Sequence, residues 1–257
     1  PRVHALGHAS HSRAPNAVRF ARGTVHLEGS TTMLTGQRTE RAAADKPAPG
    51  AVLGLVVSVM AMIVLPFAVT GTNLALPAIK KDFGSSLAAL SWTLSGYSIV
   101  LAGFTMLGGT VSSRLGFHRT FALGVAVLTA GSVVCIAAPN TPVLIAGRVV
   151  QALGGALAVP SSVSVALYGW PDSRRAFAIG VWTAAFPIGS SVAPTVSALL
   201  IGAGSWRLIF VVPIALGATA FVLVHFLPRP TGDTDAKGTP LPDVLGMVLG
   251  TAAATLA

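Results

Sequence analysis

Residues 51–79 read AVLGLVVSVMAMIVLPFAVTGTNLALPAI, a run with no charge that ends at Lys80, Lys81 and Asp82. About 20 mostly apolar residues are enough to carry a helix across roughly 30 Å of hydrocarbon, and this run exceeds that. Five more runs of the same kind follow, at 90–111, 120–138, 142–167, 176–204 and 208–227. A polar stretch at 228–242 holds Arg229, Asp233, Asp235 and Lys237 and reads as a linker. Residues 243–257 are apolar again but too few to span, which predicts the start of a truncated seventh helix. Lipid offers no hydrogen-bond partners, so only helices or closed barrels cross it. Barrel strands alternate in polarity over about 10 residues, whereas these runs are apolar on every side. The expected fold is an all-α polytopic membrane protein with a six-helix bundle over 51–227.

Composition agrees with this reading. Of 257 residues, 53% are hydrophobic and 10% charged, with a mean hydropathy of +0.74. Soluble domains carry about 25% charged residues. The net charge is +9, but outside the first fifty residues the basic groups are scattered between apolar runs. That layout argues against a nucleic-acid partner and for a lipid bilayer. With the N-terminus in the cytoplasm, the inner segments hold Arg38, Arg41, Lys46, Arg114, Arg119, Arg174, Arg175, Arg229 and Lys237. The outer loops then hold Lys80, Lys81 and Arg207. Basic residues favour the inner side, so a multi-pass protein of the cell membrane with a cytoplasmic N-terminus is expected.

Residues 1–50 form a basic, disordered tail on this reading. The part before Met33 reads either as a real tail or as sequence upstream of the true start. His4, His8 and His11 have neither a scaffold nor carboxylate partners and predict no metal site. No cofactor and no enzymatic arrangement is expected: Cys135 sits alone in the third run, and no nucleophile–base–acid order stands out.

Several motifs carry more specific information. Gly109-Thr-Val-Ser-Ser113-Arg114-Leu-Gly116-Phe-His-Arg119 follows the second run. It resembles the cytoplasmic loop pattern of the major facilitator superfamily, Gly-x-Leu-x-Asp-Arg-x-Gly-x-(Arg/Lys)-(Arg/Lys), with Ser113 in place of the acid. In that family the acid helps lock the transporter halves in one state, so the resemblance implies a gating loop that lacks this contact. The fourth run holds Leu144-Ile-Ala-Gly-Arg148-Val-Val-Gln151-Ala-Leu-Gly154-Gly155-Ala156, similar to the superfamily's fourth-helix motif. Arg148, Gln151 and Gly155 share one helical face. An arginine in hydrocarbon costs roughly 2.5–3.5 kcal/mol on insertion scales. Arg148 lies about 9 Å from the outer end of its helix, and two placements are open. It either snorkels to that interface or turns inward and bonds carbonyls of the first helix, near a proton site or substrate as the resemblance implies.

In the fifth run, Gly189, Ala193 and Ser197 make a smooth face for close helix packing, with Pro187 and Pro194 expected to kink or loosen it. The segment from Gly189 to Ala198 resembles a worn antiporter motif, Gly-Pro-x-x-Gly-Gly, that keeps only Pro194. Ser205-Trp206-Arg207-Leu-Ile-Phe210-Val-Val-Pro213 resembles the sixth-helix entry of fourteen-span drug–proton antiporters. Ala68-Val-Thr70-Gly-Thr-Asn73-Leu-Ala75-Leu76-Pro77 resembles their first-helix motif, whose aspartate is Ala68 here. Thr70, Asn73, Trp92 and Tyr97 are candidates to line the cavity.

The resemblance implies the N-terminal half of a secondary transporter that exports small lipophilic or cationic compounds in exchange for protons, by alternating access. A missing C-terminal half would complete it, and this chain alone is expected not to transport. Alternatives from the same fold are a non-transporting remnant or split subunit, and a uniporter or metabolite carrier. No Asp or Glu falls within a run, and His225 at the end of the sixth reads as interfacial. Proton coupling is therefore not written in this half.

Overall fold

The structure is a computed structural model that describes residues 46–228. The expected tail with its three early histidines, and the expected linker and start of a seventh helix, fall on residues before 46 and from 229 onward and lie outside the described residues. The helices are α1 (Ala51–Phe83), α2 (Leu87–Leu115), α3 (Phe117–Ile136), α4 (Thr141–Leu167), α5 (Asp172–Gly202) and α6 (Val211–Val224). A short 3-10 turn, Trp206–Phe210, leads into α6. No strand occurs among the described residues. Six helical segments are long and apolar enough to cross a membrane.

Helix ends follow local chemistry. The first helix runs past residue 79 and places Lys80 and Lys81 in its last turn, where the dipole favours cations. Gly84, at φ 62°, closes it with its N–H on the Lys80 carbonyl at 2.9 Å. Ser86 and Asn140 cap α2 and α4 by accepting the N–H groups of Ala89 and Val143 at 3.2 and 3.1 Å. The fifth helix begins at Asp172 rather than 176 and continues through Pro187 and Pro194, so neither proline ends it.

Packing between helices depends on glycines that let backbones meet. A β-carbon at Gly131 or Gly154 would overlap the backbone of Gln151 or Leu128 across the α3–α4 seam. One at Gly124 would sit 2.5 Å from the Ala158 nitrogen, and one at Gly147 2.7 Å from the Cys135 sulfur. Gly108 brings α2 onto the Ala156 carbonyl in the same way. The expected smooth face of α5 is its buried stripe: Gly189, Ala193 and Ser197 are buried, and a β-carbon at Gly189 would lie 2.8 Å from Pro66 of α1. Small residues at helix seams are the usual packing device in lipid, where apolar burial gives helices no reason to associate. Outward, large apolar side chains such as Met106, Leu199 and Phe177 stay exposed, at 70%, 70% and 61%. Such a surface suits hydrocarbon rather than water.

The two ends of the bundle differ. At one end, the Ala48 N–H bonds the Gly169 carbonyl at 2.7 Å and the Trp170 indole bonds the Ala51 carbonyl at 3.1 Å. At the other end, Asp82 accepts from the Trp206 indole at 3.0 Å and from Arg207 at 2.7 Å. Arg207 also reaches the Ala138 carbonyl at 3.1 Å. This clamp joins the ends of α1 and α3 to the entry of α6.

Candidate functional site

Arg148 is the largest fully buried side chain in the bundle, 1% exposed. Seven residues into α4, it does not snorkel. Its Nε donates to the Thr93 carbonyl of α2 at 3.4 Å, and its Nη1 donates to the Gln151 carbonyl oxygen one turn on. Gln151, itself fully buried, passes the connection on: its Nε2 donates to Ser132 Oγ of α3 at 2.7 Å. Ser132 in turn donates to the Leu128 carbonyl at 2.9 Å. The guanidinium carbon lies 4.0 Å from the centre of the Tyr97 ring, a cation–π contact that gains strength where water is excluded. The carbonyl that holds Arg148 therefore belongs to the second helix, not the first as expected. The reason is geometric: Gly108 and Gly155 leave α2 free to lie against this face of α4. A β-carbon at Gly155 would come 3.1 Å from Leu101 and 3.9 Å from Tyr97 Oη.

Not every donor in this cluster is used. Arg148 Nη2 and Tyr97 Oη are buried without a hydrogen-bond partner. Tyr97 packs with Ala68 and Ala152, so Ala68 borders the cluster. The two carboxylates among the described residues are elsewhere and already paired. Asp82 holds Arg207, and Asp172 holds Arg175 at 3.1 Å. The interior of the bundle thus carries one positive charge and no negative one among the described residues.

The other expected residues are less convergent. Of the four cavity candidates, Tyr97 meets Arg148, whereas Thr70 is half-buried and Asn73 and Trp92 are exposed, Trp92 by 59%. In the loop motif, Gly116 is the single residue between α2 and α3. Its φ of 84° is a conformation that favours glycine. A β-carbon at Gly109 would meet nothing within 4 Å, Arg119 is exposed, and Ser113 Oγ donates to the Thr110 carbonyl at 2.8 Å. On α5, Pro194 is exposed while Gly189 packs inward. Sequence reasoning missed Thr93 and Ser132. Both are buried polar residues; Thr93 lies one turn before the candidate Tyr97, whereas no motif pointed to Ser132, and the pairing of both with α4 is a tertiary fact.

Comparison with known proteins extends this picture. The profile of the family described as Major Facilitator Superfamily matches residues 52–254. The methylenomycin A resistance protein of Bacillus subtilis is 30% identical over 198 residues, covering 76% of this chain and 41% of that protein. The methylenomycin A resistance protein of Streptomyces coelicolor is 32% identical over 174 residues, covering 67% and 36%. The multidrug resistance protein Stp of Mycobacterium tuberculosis is 36% identical over 152 residues, covering 59% and 28%. The chain thus spans less than half the length of these relatives. Among solved structures, a peptide transporter, POT, in complex with alafosfalin superposes with a TM-score of 0.63 at 17% identity, covering 79% of this chain and 45% of that one. A proton:xylose symporter gives 0.62 at 15% identity, covering 82% and 52%. At these identities the likeness is one of fold.

Proposed function

The chain belongs to the major facilitator superfamily, and from that premise we propose that its six helices form one half of a secondary transporter that exports small lipophilic organic compounds. The observation that carries this reading is Arg148, a cation held inside an apolar bundle by Thr93 of α2 and by Gln151 of its own helix, which is itself tied to Ser132 of α3. Intramembrane charges are costly and face protein or a substrate path. Burying one in a purely structural bundle would be wasteful, since an apolar side chain packs there at no electrostatic cost. Relatives named for antibiotic and multidrug resistance support export as the direction.

In such a carrier, substrate binds near the midplane between two halves that rock about it. Arg148 and Gln151 would face that path, Gly155 would keep α2 close, and the loop from Gly109 to Arg119 would move at the cytoplasmic face. The N-terminus lies in the cytoplasm on this proposal, because Lys46, Arg114, Arg119, Arg174 and Arg175 gather at one end of the bundle. Proton exchange would draw on a titrating group outside residues 46–228. Of the two substrate classes read from the sequence, lipophilic compounds fit better than cations, which an unneutralised guanidinium repels.

The test is accumulation. A carrier comprising this bundle and its second half, produced in a bacterium stripped of its own exporters, should lower the steady-state content of several lipophilic dyes and antibiotics. Equal accumulation with and without the protein, across the whole panel, would overturn the proposal.

A further inference from the structure

We propose that the Arg148–Tyr97 cluster is a docking point for the carboxylate of an exported organic compound. The inference rests on the transporter reading above and specifies its substrate class. Three observations lead to it. First, Arg148 Nη2 and Tyr97 Oη are both sealed from solvent and both lack a partner, although Arg148 Nε and Nη1 are engaged. A buried donor without an acceptor is unfavourable, most of all on a charged group. Second, the charge is uncompensated: among the described residues both carboxylates are paired with other arginines at the ends of the bundle. Third, the two free groups belong to stacked side chains, with the guanidinium carbon 4.0 Å from the ring centre. A carboxylate has two oxygens and one negative charge, so it can take one donor with each oxygen and neutralise the guanidinium. A cation offers neither, and a neutral alcohol supplies no charge.

Access requires a change of state. Tyr97 and the Thr93 carbonyl both lie on α2, which buries only Leu90, Thr93, Tyr97 and Gly108. Its seam with α4 is tight at Gly108 against the Ala156 carbonyl, so opening means a displacement of α2 along that seam, which draws Tyr97 back from the guanidinium and lets a carboxylate enter between the two donors. Ala68 marks the border of the site: it is buried against Tyr97 with a side chain of one carbon, and a carboxylate placed there by substitution would compete with the incoming one.

The experiment measures binding rather than transport. The purified chain in phosphatidylcholine nanodiscs is equilibrated with radiolabelled benzoate, benzyl alcohol or benzylamine, with empty discs subtracted. Benzoate should be retained at least tenfold more tightly than the neutral and cationic probes. Tyr97→Phe keeps the ring under the guanidinium and should weaken benzoate roughly tenfold, the effect of losing one hydrogen bond to a charged group. Ala68→Asp should abolish benzoate retention while leaving the protein folded. Equal retention of the three probes would overturn the carboxylate assignment while leaving the transporter reading intact. Unchanged benzoate affinity in both variants would also overturn it. Displacement by chloride but not by gluconate at equal ionic strength would give the site to an inorganic ion and equally overturn it. Failure to bind any probe overturns the assignment, and the accumulation assay then judges the transporter reading separately.

Discussion

Replacing Gln151 with leucine tests whether the polar chain through the bundle stabilises it. Gln151 is fully buried and bridges two partners, accepting from Arg148 Nη1 and donating to Ser132 Oγ at 2.7 Å. Leucine fills a similar volume, so the packing change is small and the effect is mainly electrostatic. Arg148 keeps only the Thr93 carbonyl at 3.4 Å and the Tyr97 face. A buried group stripped of its partner costs about 1–3 kcal/mol, whereas interhelical hydrogen bonds measured in a membrane protein average about 0.6 and reach about 1.7 kcal/mol. Because the bond lost here is to a charged group, about 2 kcal/mol is the expected loss. For a domain of this size that lowers the midpoint by about 4–8 °C. Cys135, the chain's one cysteine, is fully buried and suits the assay. A thiol-reactive dye that fluoresces on coupling reports its exposure as the detergent-solubilised protein is heated. Ser132→Ala should lose less, and the double variant should lose less than the sum, since both cut the same chain. Melting of Gln151→Leu at the wild-type temperature would refute the reasoning.

Three further outcomes follow from the packing and the ends of the bundle. Gly154→Val forces side-chain atoms into the backbone of Leu128 and Gly124; it should lower the yield of folded protein in a gel-filtration assay. Gly180→Ala, where a β-carbon meets nothing within 4 Å, should leave that yield unchanged. Asp82→Ala breaks an ion pair whose side chains are 43% and 32% exposed and removes the acceptor of the Trp206 indole; an exposed pair contributes little, so the midpoint in the same dye assay should fall by at most a few degrees. For orientation, a membrane-impermeant maleimide on intact cells should label Lys80→Cys and should reach Arg119→Cys only after the membrane is opened.

Most of the fold was legible because hydrocarbon is a demanding solvent. Charge-free runs of the required length have few other uses, and six of them coincide with α1 to α6. Boundaries were less legible, since a helix does not stop where the lipid does: α1 continues through Lys80–Asp82 and α5 begins at the polar segment Asp172–Arg175. The seams were partly legible. Gly189, Ala193 and Ser197 stood out by their regular spacing, but Gly108, Gly124 and Gly131 sit among other small residues, and only the partner helix distinguishes a packing glycine from an idle one such as Gly180. Arg148 stood out from its motif and its cost in lipid, and it is the residue around which the buried polar cluster is built. Its partners were not, because Thr93 and Ser132 come from helices whose rotation the sequence leaves open. The same holds for the cavity candidates, of which the structure brings Tyr97 alone to Arg148.

The direct test of the central claim is the efflux rate of the complete carrier bearing Arg148→Ala, measured in everted vesicles at matched amounts of inserted protein. Loss of export with normal insertion is the predicted result. Export at the wild-type rate would contradict the account, leaving the buried guanidinium a part of the packing alone.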